Sequence, residues 1–375
     1  MIARTRGKSG VTPILGTMML LLIILTMVAT ILWWGTPTIR ALEVETQYTS
    51  ARGYFENLNR EVDDLLTDGW GGARSFKISF PMGNLEMYKD TSPFIVEDEI
   101  EKQADLKPKT VWVLSYNMPS SNYDLLFEDI TDDRTDKFTI RRIDDAGAIP
   151  SCKVTVVCLE GERKGESNAM VDNIQSSGTS FNMNLYDVTR ITVETSTKEL
   201  IAEAFVFSLA PIIYRYPTDR GTFHLMQQNT GMSTDYPEEE DILRPLLMSQ
   251  ASLSGNEKTL TLYMADFSPK GIYATGSGDY TLRMRFSDVG YYGNHPVKDL
   301  RITLDGDYQG AWIESMTEPF KRSLQSSSRF TGFIKDDTQS QGGVIYNTPS
   351  SLFAQHQNLV TLNVIWAHVD VEIGS

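Results

Sequence analysis

The sequence predicts an α+β protein, in which one long kinked N-terminal helix precedes a mainly antiparallel, sandwich-like β ectodomain. Three observations predict this fold class. No charged residue lies between Lys8 and Arg40. Apolar residues then recur at spacings of three and four as far as Leu65, which is helical periodicity. Beyond residue 73 the pattern changes to alternation with period two, which is typical of strands with one buried face.

The first half of the predicted helix is long enough to cross a membrane. Its apolar part, Val11–Trp34, has 24 residues and would measure about 36 Å as a helix, against about 30 Å of bilayer hydrocarbon. Trp33 and Trp34 fit the aromatic belt at the outer interface, and the basic residues before Gly10 mark the cytoplasmic side. We therefore expect a cytoplasmic N-terminus, a transmembrane helix at 11–36 and an extracellular C-terminal domain.

Three interpretations of this segment compete. A cleaved secretory signal has an apolar run of about 7–15 residues, and the run here is longer. A plain signal anchor fits the physics. The third interpretation depends on Lys8-Ser9-Gly10 and on the residues that follow it, which are Val11, Thr12, Pro13, Ile14, Leu15 and Gly16.

This junction resembles the prepilin (class III) signal of archaeal type IV pilin-like proteins, although Thr12 stands where serine is usual. The resemblance implies that residues 1–10 are a leader, which a prepilin peptidase removes by cutting between Gly10 and Val11. The apolar helix would then stay on the protein and serve as both membrane and assembly helix. Shorter similarities to the larger members of this group, of unassigned function, continue along the chain and imply no catalytic residues.

An amphipathic helix is predicted at 37–68, after a kink or short break at Gly35 and Pro37. Its apolar residues form a heptad seam. Either the seam packs on the protein's own β domain, or it also contacts neighbouring subunits. The seam residues are Ala41, Val44, Tyr48, Ala51, Phe55, Leu58, Val62 and Leu65.

The remainder is divided into a β-rich region at 69–217, a polar loop or linker at 218–241, and a second β-rich region at 242–375 with a short helix near 310–323. A hairpin is predicted around Gly83 and Asn84. Further strands are predicted at 110–116, 137–143, 153–159, 190–195, 204–216, 260–264, 280–286, 300–304, 359–365 and 369–373.

Composition argues against several function classes. The net charge of −15 opposes nucleic-acid binding. Four histidines occur, none at metal-ligand spacing, and we expect no metal, no cofactor and no catalytic residue. His368 is expected on a solvated face, and Cys152 and Cys158 are expected to be buried apolar residues without a disulfide. Acidic runs such as 128–136 leave calcium binding as a weak hypothesis.

The leading functional expectation is a non-catalytic, pilin-like subunit or minor component of an archaeal surface filament. Its partners would be the membrane, a prepilin peptidase and other pilin-like subunits, and no small-molecule substrate is identified. The alternative is a membrane-anchored binding or adhesion protein that does not polymerise. An extracellular hydrolase ranks third, because the sequence holds no recognisable catalytic cluster.

Overall fold

The computed structural model describes most of the chain from Val11 onward. The described residues are 11–68, 71–80, 83–87, 110–131, 137–143, 149, 151–159, 166–182, 188–209, 211–218, 221–235, 241–244, 248–254, 257–270, 273–275, 278–305, 344–348 and 351–374. The chain divides into two units, Met1–Gly53 and Tyr54–Ser375. The short helix expected near 310–323 lies outside the described residues.

One helix and twenty strands lie within those ranges. The helix, α1, is Val11–Asp68. The strands of the first half are β1 Ala73–Phe80, β2 Asn84–Met87, β3 Thr110–Asn117, β4 Leu125–Thr131, β5 Lys137–Arg142, β6 Cys152–Cys158, β7 Glu166–Val171, β8 Thr179–Asn182, β9 Val188–Thr195 and β10 Leu200–Leu209. The later strands are β11 Ile212–Thr218, β12 Gly221–Gln228, β13 Gly231–Thr234, β14 Asp241–Arg244, β15 Met248–Ser254, β16 Glu257–Lys270, β17 Tyr273–Thr275, β18 Gly278–Asp305, β19 Val344–Thr348 and β20 Ser351–Gly374.

Helix α1 is continuous through Gly35 and Pro37, so the short break offered as one possibility there does not occur. Proline removes one backbone donor and crowds the preceding turn. Two threonine hydroxyls on either side of Pro37 donate to carbonyls one turn back, Thr36 to Leu32 and Thr38 to Trp34. These bonds occupy backbone acceptors next to the proline, where the helical hydrogen bonding is weakest.

Within the unit Tyr54–Ser375, the last turns of α1 bury one face. Phe55, Leu58, Val62 and Leu65 are all fully buried, each contributing about 1.5–3 kcal/mol of transfer free energy. Tyr54 meets the ring of Phe80 edge to face at 5.6 Å, and α1 ends at Asp68. This part of the predicted seam is therefore buried within the unit Tyr54–Ser375.

The described strands form three sheets. Eleven strands make the largest, in the order β15-β16-β20-β18-β3-β10-β9-β6-β7, with β1 also pairing β18 and β19 pairing β20. Six strands make the second, in the order β14-β13-β12-β11-β2-β17, and β4-β5-β8 make the third. Every pair is antiparallel except β16 with β20. The fold class predicted from the sequence is therefore observed.

Strand β10 separates two cores, because its neighbouring side chains point to opposite faces of the large sheet. Phe205 and Phe207 belong to a core that includes Ile213 and Met226 of the six-stranded sheet. Ala204 and Val206 belong to a second core, which the three-stranded sheet covers with aromatic residues such as Phe138. A strand buried on both faces has few positions for polar residues, which explains the run Ala-Phe-Val-Phe.

The stretch 218–241, expected to be a polar loop or linker, instead contains strands β12 and β13 and reaches β14. Several of its polar residues are buried, and Gln227 and Asn229 are hydrogen-bonded. Gln227 donates to Asn59 of α1 at 2.7 Å and to the carbonyl of Asn229 at 3.1 Å. Asn229, with a positive φ of 50°, accepts from the backbone of Ala265 at 2.7 Å. We call Asn59, Gln227, Asn229 and Ala265 the buried tie.

The hairpin predicted around Gly83 is also wrong. β1 pairs with β18 in the large sheet, whereas β2 lies between β11 and β17 in the six-stranded sheet. Gly83 has a φ of +115°, and a Cβ there would lie 2.6 Å from the ring of Tyr214 and 2.7 Å from the carbonyl oxygen of Arg215. The glycine therefore allows the chain to pass close to β11 on its way from one sheet to the other. In the sequence, a glycine in this position looks the same as one in a hairpin turn.

Other strand predictions had the right location but the wrong extent. The candidate 204–216 is two strands, β10 and β11, which belong to different sheets and are separated at Pro211, a residue without a backbone donor. The candidates 280–286 and 300–304 are parts of β18, and 359–365 and 369–373 are parts of β20. Three register shifts, after Phe286, Tyr292 and Val297, interrupt the pairing of β18 with β20.

Alanine substitutions at two glycines separate backbone strain from steric clash. Gly71 also has a positive φ, +87°, but no atom within 4 Å of an added Cβ. Gly71→Ala is expected to cost about 1–2 kcal/mol from strain alone. Gly83→Ala adds the clash with β11 and is expected to cost clearly more. Denaturant unfolding of the detergent-solubilised chain measures both, and equal losses would contradict the role assigned to Gly83.

Breaking the buried tie is expected to destabilise the unit Tyr54–Ser375. Asn59→Ala removes the acceptor of a buried Gln227 amide, which costs about 1–3 kcal/mol. Asn57→Ala, two residues earlier on the exposed side of the same helix, is the matched control and should change stability by less than about 0.5 kcal/mol. Comparable losses of melting temperature for the two variants would refute a specific contribution of the tie.

Candidate functional site

The strongest candidate for a functional surface is the first part of α1, residues 15–34. Within the described residues, α1 is the one helix that is long and apolar enough to cross a membrane. Its large apolar side chains are exposed on every side of the helix, from Leu15 through Leu25 to Ile31. An all-round apolar helix is stable only when lipid or other protein surrounds it.

The two tryptophans that the sequence predicts at the outer membrane interface are highly exposed. Trp33 and Trp34 are the most exposed large apolar residues of the helix, at 85% and 80%. Adjacent tryptophans on a helix point about 100° apart, so the pair presents indole rings over a wide arc. This arrangement suits the boundary between hydrocarbon and headgroups, where indole buries its ring and keeps its N–H in contact with water.

Polar groups inside the apolar segment are satisfied within the helix. The hydroxyl of Thr26 donates to the carbonyl of Leu22 at 2.6 Å, and that of Thr30 donates to the carbonyl of Thr26 at 2.7 Å. A hydroxyl without a partner would be costly in hydrocarbon. These threonines therefore add little to the cost of inserting the helix into a bilayer.

The described residues include only one side of the predicted leader junction. Gly10 lies outside the described residues, and Val11 is the first residue of α1. Thr12, Pro13 and Ile14 follow in the first turn, where proline is well tolerated because its missing N–H has no helical partner. Leu15 is exposed, and a Cβ at Gly16 would meet no atom within 4 Å.

The exposure of the heptad seam changes along the helix. Ala41 is exposed, Val44 and Tyr48 are half-buried, and Ala51 is buried, as are the four seam residues that follow it. The seam prediction treated these eight positions as equivalent. Its first three members retain accessible surface, whereas the later ones belong to the interior.

Glu203, Arg190 and Tyr116, on the adjacent strands β10, β9 and β3, form a polar cluster in the large sheet. Glu203 is fully buried and accepts from both the Arg190 guanidinium and the Tyr116 hydroxyl. The Arg190 guanidinium also lies 5.0 Å from the ring centre of Tyr292, which stacks on Trp366 at 5.1 Å. Sequence reasoning missed this cluster, because Tyr116 lies 87 residues before Glu203 and the three residues match no motif.

The geometry of this cluster is that of a compensated buried charge. Glu203 has two strong donors, and the aromatic rings cover the far side of Arg190. Burial, together with the Glu203 carboxylate, raises the pKa of the Tyr116 phenol. A phenol held in its neutral form beside a carboxylate is a hydrogen-bond donor, which is a structural role.

Two histidines pair with aspartates. His224 bonds Asp235 across β12 and the end of β13, and His368 Nδ1 lies 3.1 Å from Asp266 Oδ2. His368 is half-buried, so its expected position on a solvated face is wrong. The parallel pairing of β16 with β20 brings Asp266, 102 residues earlier in the chain, next to His368. The alternation of residues along one strand does not reveal which other strand it pairs with.

The prediction that Cys152 and Cys158 are buried is confirmed. Cys152 and Cys158 are buried at the two ends of β6 and form no disulfide, and burial raises the pKa of the Cys152 thiol. Residues 132–136, 144–145 and 238–240 lie outside the described residues. Within the described ranges, no group of three or more His, Cys, Asp or Glu side chains is placed to hold a metal ion.

Comparison of the chain with protein-family models, with curated proteins and with solved structures gave no match.

The buried phenol generates a testable dependence on pH. An unfolded tyrosine loses its proton near pH 10, whereas Tyr116 in the folded protein keeps it to higher pH. The unfolded state is therefore favoured as the pH rises above about 10, and the stability contributed by the neutral phenol is fully present below that value. Tyr116→Phe should reduce the slope of unfolding free energy against pH above 10, while costing about 1–3 kcal/mol at pH 7.

Ile191→Val is the control for this prediction. It removes one methylene from the other core and should cost about 0.5–1.5 kcal/mol, with no change in the alkaline slope. Denaturant midpoints between pH 7 and pH 11 provide the measurement. An alkaline slope for Tyr116→Phe as steep as that of the unmodified protein would refute the assignment.

Proposed function

We propose that this chain is a non-catalytic, pilin-like surface protein, which is inserted in a membrane through residues 11–34 and assembles through the same helix. The observation that carries the proposal is the apolar surface of residues 15–34, exposed all round in the isolated chain. Such a surface requires a surrounding apolar phase. The resemblance of residues 8–17 to a prepilin junction supports an exchange between two such phases, lipid and a bundle of helices.

The exchange between lipid and a helix bundle is physically inexpensive. Lipid tails and packed helices are similarly apolar, so moving the helix from one to the other changes its solvation little. No charged residue lies between Lys8 and Arg40, so the transfer does not require moving a charge through hydrocarbon. The membrane orientation that goes with this proposal places Arg4, Arg6 and Lys8 in the cytoplasm and the unit Tyr54–Ser375 outside.

Processing at the leader is the first test. When the full chain is expressed with a prepilin peptidase, intact-mass and N-terminal analysis should find Val11 as the first residue. Gly10→Leu places a large side chain at the cleavage position and should retain the leader. Gly7→Leu, a matched glycine further from the junction, should still be processed.

Two outcomes would overturn this step. A chain that keeps Met1 in the presence of active peptidase is a plain signal anchor. A chain cut beyond Trp34 has lost the helix and is a secreted protein.

A second candidate is a membrane-anchored binding protein that is not part of a filament. It is favoured by the size of the folded unit Tyr54–Ser375, which holds two cores of its own. Electron microscopy and peptide analysis of surface filaments from the native cells separate the two candidates. Processed protein found only in the membrane fraction supports the second, and filaments containing this chain support the first.

A further inference from the structure

We propose that the outer face of β16, β20 and β18 binds a neutral polysaccharide, with Tyr291 as the stacking residue. This inference does not depend on helix assembly or leader cleavage. The face is formed by side chains that point away from the adjacent core, and we call it the Tyr291 platform. Its residues are Tyr291, Asn363, Thr361, Ile365, Thr261 and Tyr263.

The register of the strands places these residues side by side. Tyr291 is paired with Ile365, which is paired with Tyr263, and Asn363 is paired with Thr261. Their neighbours along the strands, Leu262 and Val364, are buried in the core on the other face. With about 4.8 Å between strands and 3.3 Å between residues, the platform measures roughly 10 by 13 Å, larger than one sugar ring.

The Tyr291 ring is held against the sheet while one side of it stays open. A Cβ at Gly293 would lie 2.1 Å from the Tyr291 hydroxyl oxygen and 2.2 Å from Cζ, so the end of the ring occupies the space above this glycine. The hydroxyl donates to Asn363 Oδ1 at 3.2 Å. Tyr291 is nevertheless 56% exposed, which is unusual for a large ring with two positional restraints.

This combination matches the chemistry of a pyranose. The axial C–H groups of a sugar ring carry slight positive charge and pack on the negative face of an aromatic ring. Its hydroxyl groups need hydrogen-bond partners at the edge of that ring, which the Asn363 amide and the hydroxyls of Thr361 and Thr261 can supply. Because the ring is already positioned, binding loses little side-chain entropy.

The charge distribution selects an uncharged ligand. None of the six platform residues is charged, although the chain as a whole carries −15. On the opposite face of β18 and β20, cross-strand pairs further along are charged, as in Arg283 with Glu372 and Arg285 with Asp370. An acidic polymer would be repelled by the body of the protein, and a basic one would bind the acidic surface in preference to this face.

Binding of neutral hexasaccharides to the detergent-solubilised full chain tests the proposal. The probes are linear glucan, mannan and chitin hexamers, measured by calorimetry, with an acidic hexamer of galacturonate for comparison. We expect at least one neutral hexamer to bind and the acidic one not to bind. Tyr291→Ala should weaken binding about tenfold or more, and Tyr291→Trp should preserve it.

The control is Met170→Ala, which removes another highly exposed apolar side chain from β7, at the edge of the same sheet. It should leave binding unchanged, and both alanine variants should keep the melting temperature of the unmodified chain. Absence of binding to all three neutral hexamers, or equal binding by Tyr291→Ala, would overturn the proposal. A change of oligomeric state in Tyr291→Ala without saccharide binding would also overturn it, since the face would then be a contact between copies of this chain.

Discussion

The folded unit Tyr54–Ser375 depends on burying hydrogen-bonding groups in pairs. The buried tie is the central case, because it places an asparagine of α1, a glutamine of β12, an asparagine at a hairpin tip and a backbone amide of β16 within one bonded series. Apolar packing alone would accept several registers of the helix against the strands. A buried amide accepts only the register in which its partner is opposite, since every other register leaves it unsatisfied.

The same constraint governs strands β3, β10 and β9 of the large sheet. Glu203 lies inside the structure only because Arg190 and Tyr116 reach it from the two flanking strands. Such a charge specifies the order β3-β10-β9 more sharply than the surrounding phenylalanines do. The aromatic residues stabilise the unit, and the polar clusters determine which strands are neighbours.

Local patterns predicted the elements better than they predicted their pairing. The apolar run to Trp34 and the seam to Leu65 are properties of consecutive residues, so the helix was predictable almost to its end at Asp68. The pairing of β16 with β20 joins residues about 100 positions apart, and no sequence pattern near Asp266 or His368 predicts it. Residues 218–241 were misassigned for a related reason, because buried glutamines and asparagines look like a solvent-exposed loop until their partners are known.

The candidate sites divide in the same way. The apolar first part of α1 and its tryptophans follow from hydropathy, which needs no tertiary information. The Tyr291 platform could not be predicted, because it depends on a missing Cβ at Gly293, on a hydrogen bond across strands and on which face of β18 is buried. A glycine in a strand is only a weak indication that an aromatic ring lies over it. The pairing register of β18 with β20 is needed before Gly293 can be interpreted in this way.

The position of β20 has a consequence for the time course of synthesis. This strand is the latest described in chain order, yet it lies inside the large sheet, paired with β16, β18 and β19. The large sheet therefore cannot be completed before β20 has been synthesised, and β16 and β18 lack this partner strand until then. During that interval the unfinished sheet exposes apolar surface and open strand edges, on which other chains can aggregate.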